Sequence, residues 1–253
     1  MMIFETVKTF QAWRSTLPRD QTLGFVPTMG ALHSGHESLL QFSVHDNDVT
    51  VLSIFVNPTQ FNNPNDLKNY PITYEQDLAV AKKLGVNAVF APKNMNELYP
   101  DQYRFKITES EFSTQLCGAH RPGHFDGVLT VVMKLFQIVQ PTRAYFGEKD
   151  HQQLTLIKDM VSSFFMPVEV IPCPTVREVS GLAMSSRNLR LTPEEIQVAP
   201  KLYQTITEIK DREQVIKTLS DYGFKIDYLE DRNHRRYVAA ALGKVRLIDN
   251  VEL

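Results

Sequence analysis

Cysteine is scarce in this chain, whose 253 residues include only Cys117 and Cys173. Two isolated cysteines exclude a disulfide framework and indicate a reducing compartment. Outside the histidine pair His33 and His36, no cluster of histidine, cysteine and carboxylate residues has the spacing of a zinc site. An excess of positive charge is absent too, since the net charge is -2 at pH 7. Nothing in that balance favours nucleic acid or an anionic membrane as a partner.

Long hydrophobic runs are also absent. No uninterrupted apolar stretch has transmembrane length, and residues 1–12 lack the basic region and apolar core of a secretory signal. There is no internal repeat or low-complexity segment. Apolar residues make up 43% and charged residues 22% of the chain, which is ordinary for a soluble globular protein. We therefore expect a cytoplasmic protein, with a sizeable core in one large or two modest domains.

Strand-like and helical patterns alternate along the first 190 residues. The predicted strands are 23–26, 49–56, 88–90, 105–108, 144–146 and 168–171. The predicted helices are 35–44, 74–84, 126–139 and 152–164. This alternation predicts an α/β fold with a mostly parallel, doubly wound sheet. In such folds ligands bind at the carboxyl ends of the strands.

A boundary is predicted near Leu191. The sequence Thr192-Pro193-Glu194-Glu195 is a capping box with proline at the first helical position. After further helical patterns come short strand-like runs at 224–229, 236–242 and 245–248. We therefore expect a catalytic domain at 1–190 and a small α+β domain at 191–253, packed over the site. The charged cluster 231–236 is interpreted as a solvated turn.

The turn between the first predicted strand and the next helix contains two glycines and two histidines. It reads Met29-Gly30-Ala31-Leu32-His33-Ser34-Gly35-His36. A strand, a glycine turn and a helix start present backbone N–H groups to a phosphate. The imidazoles could bind triphosphate oxygens, but they could also satisfy local backbone groups or ligate zinc. A short motif leaves these alternatives open, so a second element is needed.

Two further elements carry donors and positive charge. Met184-Ser185-Ser186-Arg187 offers two hydroxyls and a guanidinium, and Gly147-Glu148-Lys149-Asp150 places a lysine directly after a predicted strand. Arginine binds phosphate as a planar fork and lysine binds it as a point charge. Each element alone could be a solvated polar loop. Three of them at strand ends favour a nucleotide-phosphate site.

Two other segments are candidates for contact with a small polar ligand. Asn57 and Gln60 follow the second predicted strand, and their amides can both donate and accept hydrogen bonds. The alternative is a turn-forming asparagine beside an exposed glutamine. The glycine- and proline-containing loop 121–127 precedes a predicted buried helix. Its alternative role is a helix lead-in, with Asp126 as the cap.

Six motifs, taken together and in order, resemble the pantoate–β-alanine ligase (pantothenate synthetase) family. They are P-T-M-G-A-L-H-S-G-H, F-V-N-P-T-Q-F, R-P-G-H-F-D-G-V-L-T-V-V, Y-F-G-E-K-D, M-S-S-R-N and R-L-I-D-N. H-x-G-H and M-S-S-R also resemble the signature motifs of the nucleotidyltransferase superfamily, which includes class I aminoacyl-tRNA synthetases. The resemblance implies a Rossmann-like ATP domain, a small C-terminal lid and a homodimer. It also implies that pantoate and ATP form pantoyl adenylate, which β-alanine converts to pantothenate and AMP.

The resemblance also assigns roles to residues. It implies catalytic roles for His33, His36, Lys149, Ser185, Ser186 and Arg187. ATP-binding positions are Met29, Gly30, Ala31, Leu32, His33, Ser34, Gly35, His36, Gly147, Glu148, Lys149, Asp150, Val176, Met184, Ser185, Ser186 and Arg187. Gln60, Gln153 and Asn57 are the candidates for binding pantoate or β-alanine. Mg²⁺ is implied by ATP and is expected to bind mainly through phosphates, with Asp77 and Asp150 as candidate protein ligands. Lys149 and Arg187 are expected to be exposed in an open site.

The chain departs from the family pattern in three places. Ile72 stands where arginine is usual, Asn62-Asn63 replaces a glycine, and the part after Leu191 looks short. We expect the first two changes to affect packing beside the pantoate loop. Two alternatives remain: another adenylyl- or cytidylyltransferase, and a nucleotide-binding regulator without catalysis. A tRNA ligase is disfavoured because no anticodon domain or basic excess is evident.

Overall fold

The computed structural model describes all 253 residues. Six strands form one parallel sheet: β1 (Met2–Phe4), β2 (Leu23–Thr28), β3 (Val49–Ile54), β4 (Ala88–Phe90), β5 (Arg143–Gly147) and β6 (Glu169–Cys173). Their spatial order is β1-β4-β3-β2-β5-β6. The chain runs outward from β2 on one side and from β5 on the other, so the order reverses between these two strands. In a doubly wound sheet this switch point is where ligands bind.

Eleven helices surround the sheets. They are α1 (Val7–Arg14), α2 (Ser34–Asp46), α3 (Pro64–Lys68), α4 (Tyr74–Lys83), α5 (Met95–Leu98), α6 (Cys117–His120), α7 (His124–Val139), α8 (His151–Ser163), α9 (Pro193–Val198), α10 (Lys201–Glu208) and α11 (Arg212–Asp221). The four helices predicted before the boundary are confirmed as α2, α4, α7 and α8. Most residues of α7 are buried, because apolar side chains cover all of its surface except a narrow polar stripe with Asp126, Lys134 and Gln137. None of the helices is both long and apolar enough to cross a bilayer.

In the larger part of the chain, two elements were not predicted and one predicted strand is absent. The N-terminal β1 and α1 were not predicted, since β1 has only 3 residues. The strand predicted at Phe105–Thr108 is a loop. Its Ile107 amide donates to Thr130 Oγ1 of α7 at 2.9 Å instead of to a neighbouring strand. The outer edge of β4 is already occupied by β1.

The C-terminal part contains a separate antiparallel sheet of β7 (Phe224–Arg232), β8 (Arg235–Leu242) and β9 (Val245–Glu252). The three predicted strands are confirmed, and each is longer than predicted. The capping box is confirmed as well, since Thr192 and Glu195 cap each other at the start of α9. A second hydrophobic core of 14 buried residues begins at Leu182, slightly before the predicted boundary.

The prediction of a solvated turn at 231–236 was wrong for Arg236. Only Asn233 and His234 form the turn, with φ values of 48° and 60°. Arg236 is 1% exposed. Its guanidinium donates to both Asp231 oxygens at 2.8 and 2.9 Å and to the carbonyls of Ile209 and Lys210, each at 2.6 Å. A buried guanidinium needs such a complete set of acceptors.

Candidate active site

A cleft of about 240 Å³ opens at the carboxyl ends of β2 and β5. Its wall includes residues of the three loops predicted to bind phosphate, at 29–36, 147–150 and 184–187, which we call the phosphate-type elements. The predicted site residues that line it are Met29, His33, Gly35, His36, Asn57, Gln60, Gly147, Lys149, Asp150, Gln153, Val176, Met184, Ser185, Ser186 and Arg187. The predicted residues outside the lining are Gly30, Ala31, Leu32, Ser34, Glu148 and Asp77. Folding therefore brings together side chains separated by more than 150 positions in the sequence.

His33 and His36 lie side by side at the start of α2, with ring centroids 4.1 Å apart. His33 is the N-cap, and its Nδ1 accepts a hydrogen bond from the Gly35 amide at 3.1 Å. The ring proton of neutral His33 is therefore on Nε2, which is free to donate. Burial, and then the charge of Lys149, lower the pKa of His33 to about 4. Burial, with a smaller effect of His33, lowers the pKa of His36 to about 3. Both imidazoles are neutral at pH 7.

Asp77 of α4 holds the turn that precedes the histidines. Its carboxylate accepts from the amides of Ala31 at 3.0 Å and Leu32 at 2.8 Å, and from the Thr73 hydroxyl at 3.0 Å. Gly30 has a φ of 80°, and a Cβ there would lie 2.9 Å from Asp77 Oδ2. Only glycine lets the turn approach this carboxylate so closely. Asp77 is 2% exposed, so its oxygens serve the backbone, and the structure does not support the prediction that it binds a metal.

Lys149 and Asp150 follow β5 in a short 3-10 turn that leads into α8. Lys149 Nζ lies 3.6 Å from Asp150 Oδ2. Desolvation alone would raise the pKa of the Asp150 carboxyl, but Lys149 and Arg187 outweigh it and hold that pKa below its usual value. Asp150 is therefore an anion among cations. The described residues contain no group of three or more histidine, cysteine or carboxylate side chains arranged to hold a metal ion.

The Ser185–Arg187 segment starts a second 3-10 turn, where Ser185 Oγ accepts from the Arg187 amide at 3.3 Å. Arg187 donates to Asp66 Oδ2 at 3.1 Å, and Arg190 donates to Asp66 Oδ1 at 2.5 Å. The prediction that Lys149 and Arg187 are exposed was wrong, since their side chains are 17% and 29% exposed. Helix α3 carries Asp66 and thereby covers the Arg187 guanidinium. Sequence reasoning missed Asp66, because it lies in a polar stretch without a motif.

Gln60 lies in a short turn after β3, against the start of α7. Its backbone carbonyl accepts from His124 Nδ1 at 2.8 Å and from Arg121 at 3.3 Å. A Cβ on Gly127 would lie 2.5 Å from the Thr59 carbonyl, so glycine permits this close packing. Arg121 and His124 line the cleft as well. The sequence indicated their loop but did not single out either side chain.

The pKa values of Arg121, just before α7, and of His124, its first residue, are both lowered. Burial is the main cause that lowers the pKa of Arg121 to about 10, and the positive charge of Arg187 is the next largest. Burial is also the main cause that lowers the pKa of His124 to about 3, and the positive charge of Arg121 is the next largest. Asp126 does not cap α7, since the N-cap is Gly123 with a φ of 76°. The cap prediction was wrong because the helix begins earlier, at His124.

Two of the departures from the family pattern lie at the edge of the site. Ile72 is 81% exposed and does not line the cleft. Asn62 donates to the Pro122 carbonyl at 2.5 Å, which links the turn after Gln60 to the loop before α7. Neither position lies among the phosphate-type elements.

A sequence model described as pantoate-beta-alanine ligase matches residues 2–252. The chain is 59% identical over 251 residues to the pantothenate synthetase of Bdellovibrio bacteriovorus, with 99% of each chain covered. The chain belongs to the pantoate–β-alanine ligase family. It is 49% identical over 250 residues to a pantothenate synthetase of Legionella pneumophila, again with 99% of each covered. The part after Leu191 is thus no shorter than in these relatives.

Solved structures of the family agree with the fold. The pantoate-beta-alanine ligase of Francisella tularensis, solved with a beta-gamma ATP ligand and beta-alanine, has a TM-score of 0.96 and 45% identity. The match covers 100% of this chain and 97% of that chain. Pantothenate synthetase of Thermus thermophilus has a TM-score of 0.89 and 39% identity, with 100% and 99% covered. The predicted family, ligase class and doubly wound Rossmann-like sheet with a small C-terminal α+β unit are confirmed.

Proposed function

We propose that this protein condenses pantoate with β-alanine at the expense of ATP, through a pantoyl adenylate, and releases AMP and pyrophosphate. The proposal rests on one observation: Lys149, Arg187 and two neutral histidines line the same cleft as Gln60. Family membership supports the same reaction. It also disfavours both alternatives, a nucleotidyltransferase that stops after the first step and a non-catalytic regulator.

In the first step a pantoate carboxylate oxygen attacks the α-phosphorus of ATP. The bond to the bridging oxygen breaks, and pyrophosphate leaves with its electron pair. Such a displacement needs alignment and charge stabilisation, not a protein nucleophile. Lys149 and Arg187 supply fixed positive charge, and Ser185 and Ser186 supply hydroxyl donors. The neutral histidines donate hydrogen bonds to phosphate oxygens, with His33 donating through Nε2.

In the second step the β-alanine amine attacks the activated carbonyl of pantoyl adenylate. The amide bond forms, the carbonyl–phosphate bond breaks, and AMP leaves while the amine loses a proton. Gln60 and Gln153 are the polar side chains we assign to pantoate. Asn57 acts by holding Gln60, because its own amide is already hydrogen bonded within the protein.

Mg²⁺ is part of the proposal through ATP. Magnesium usually binds one or two carboxylates together with substrate phosphates. Asp150 fits this pattern, because it is an anionic side chain that lines the cleft. When bound, the ion would neutralise phosphate charge. The homodimer, the cytoplasmic location, the boundary at residues 190–191 and the role of 191–253 as a lid stay predictions.

The test is an assay of purified protein with ATP, Mg²⁺, pantoate and β-alanine, in which AMP and pantothenate are measured. AMP release should need both pantoate and β-alanine. Exchange of labelled pyrophosphate into ATP should need pantoate alone, because the adenylate forms before β-alanine reacts. AMP formation at full rate with β-alanine and no pantoate would refute the proposal. A regulator would show no exchange under any condition.

A further inference from the structure

The motif Arg246-Leu247-Ile248-Asp249-Asn250 lies on β9 and contributes no residue to the proposed substrate cleft. Asn250 is only 6% exposed, and its side-chain amide is fully hydrogen bonded within the protein. Its Nδ2 donates to the backbone carbonyls of Glu148 at 2.9 Å and Lys149 at 3.0 Å. Its Oδ1 accepts from Arg235 at 2.6 Å. Two carbonyls on one side and a guanidinium on the other allow only this orientation of the amide.

Asp249 supports the phosphate-type element at 184–187. It makes a two-pronged ion pair with Arg177, with N–O distances of 2.6 and 2.8 Å. Arg177 also stacks 3.5 Å above the Tyr203 ring and pairs with Ala183 in an isolated antiparallel bridge. The Met184 amide donates to the Val176 carbonyl at 2.9 Å. The guanidinium thus fixes the base of the loop from which Met184–Arg187 extend.

Successive side chains of a strand leave on opposite faces. Adjacent residues of β9 can therefore reach two different loops, one after β5 and one after β6. These loops are distant in the sequence from each other and from β9. Strand pairing in the large sheet does not connect the two loops to each other. The last β5–β6 pair joins Gly147 and Cys173, and both loops begin after it.

We propose that Asp249 and Asn250 are positioning residues that set the separation between the Lys149 ammonium and the Arg187 guanidinium. The inference rests on the proposed function, because it takes these two cations as the groups that stabilise the reacting phosphate. Asn250 acts through the Glu148–Lys149 backbone, and Asp249 acts through Arg177. Neither residue lines the proposed substrate cleft.

The first test is Asn250→Ala, measured by pantoate-dependent pyrophosphate exchange. Displacement of a charge-stabilising group by about 1 Å can lower a rate by about 100-fold, so we expect a fall in kcat of roughly 10- to 100-fold. The KM for pantoate should change less than about threefold, because Gln60 is held by other contacts. Asn250→Ser, a smaller change that also removes both carbonyl contacts, serves if the alanine variant does not fold.

The deciding test is a double-mutant cycle. If Asn250 acts through Lys149, adding Asn250→Ala to Lys149→Ala should lower kcat no further. Asp249→Asn combined with Arg187→Ala should behave in the same way. Multiplied losses in either cycle, or a wild-type rate for Asn250→Ala, would overturn the proposal.

Asn47→Ala is the matched control. Asn47 Nδ2 also makes two internal hydrogen bonds, to the Ser43 carbonyl at 2.9 Å and the Tyr145 hydroxyl at 2.7 Å, at the opposite end of the sheet. This variant should lose stability but keep its exchange rate, which separates a general loss of stability from the loss of rate expected for Asn250→Ala. A failure of the proposed function is distinguishable, because wild-type protein would then show no pantoate-dependent exchange, or Lys149→Ala would exchange at the wild-type rate.

Discussion

Asn57 donates a hydrogen bond from Nδ2 to the side-chain carbonyl of Gln60 at 3.0 Å. The Asn57 carbonyl oxygen in turn accepts from the Tyr99 hydroxyl at 2.9 Å and from Thr59 at 3.0 Å. Asn57 is 1% exposed, and its amide is saturated by protein groups. The orientation of Gln60 is therefore set before any ligand binds, with Nε2 toward Met29 and the cleft.

Gln60→Ala should weaken the use of pantoate. A lost contact that leaves a buried polar group unpaired costs about 1–3 kcal/mol, which corresponds to about 5- to 150-fold in affinity. ATP binding should change little, because the phosphate-type elements remain intact. Steady-state kinetics in pantoate and calorimetric titration of ATP measure the two effects. A collapse of ATP affinity with an unchanged pantoate dependence would place Gln60 at the nucleotide instead.

Lys149→Ala and Arg187→Ala should each lower turnover by roughly 100- to 1,000-fold, as expected for loss of one preorganised charge donor. Arg190→Ala is the matched control, since Arg190 also pairs with Asp66 but does not line the substrate cleft. It should retain most of the activity. Pyrophosphate exchange measures all three variants. Near-normal adenylation by Lys149→Ala would contradict its assigned role.

Asp77→Asn should impair the loop that carries His33 and His36 without changing the need for magnesium. The amide can accept from one of the two backbone N–H groups in place of the carboxylate, but its NH₂ repels the other. We expect a several-fold rise in the KM for ATP and a loss of about 1–3 kcal/mol in stability. Turnover titrated with Mg²⁺ separates the two roles. A large increase in the Mg²⁺ concentration required, with normal stability, would restore Asp77 as a metal ligand.

Acid should destabilise the folded chain before its carboxylates titrate. The pKa values of His36 and His124 are lowered to about 3 by burial, whereas histidine in an unfolded chain has a pKa near 6.5. Between these values the unfolded state binds more protons, so the free energy of unfolding falls as the pH falls below about 6.5. Each histidine contributes up to about 1.4 kcal/mol per pH unit, a slope that is approached well below pH 6.5.

Urea unfolding at pH 7, 6 and 5 measures this slope. His124→Asn should reduce it by up to about 1.4 kcal/mol per pH unit, with most of the change between pH 6 and 5, because one neutral buried imidazole is removed. An identical slope in the variant would mean that His124 is already protonated in the folded state.

The sequence alone predicted five of the six strands of the large sheet, its larger helices and the three loops that meet at the cleft. Alternating apolar runs such as 49–54 and the cap at Thr192 act locally, so they can be predicted from neighbouring residues. The glycine and histidine motif after β2 likewise predicted a phosphate-binding turn. Short elements such as β1 carry too few residues to show a period.

Only the tertiary structure decided which polar side chains are left free in the cleft and which are taken up in supporting others. Asp77 and Asn57 carry functional groups that can bind a metal ion or a substrate, but their oxygens are taken up by backbone and side-chain donors. Asp66, Arg121 and Asn250 reach the site or its loops from distant segments. A side chain's partners depend on contacts between segments far apart in the sequence, and local spacing contains no record of those contacts.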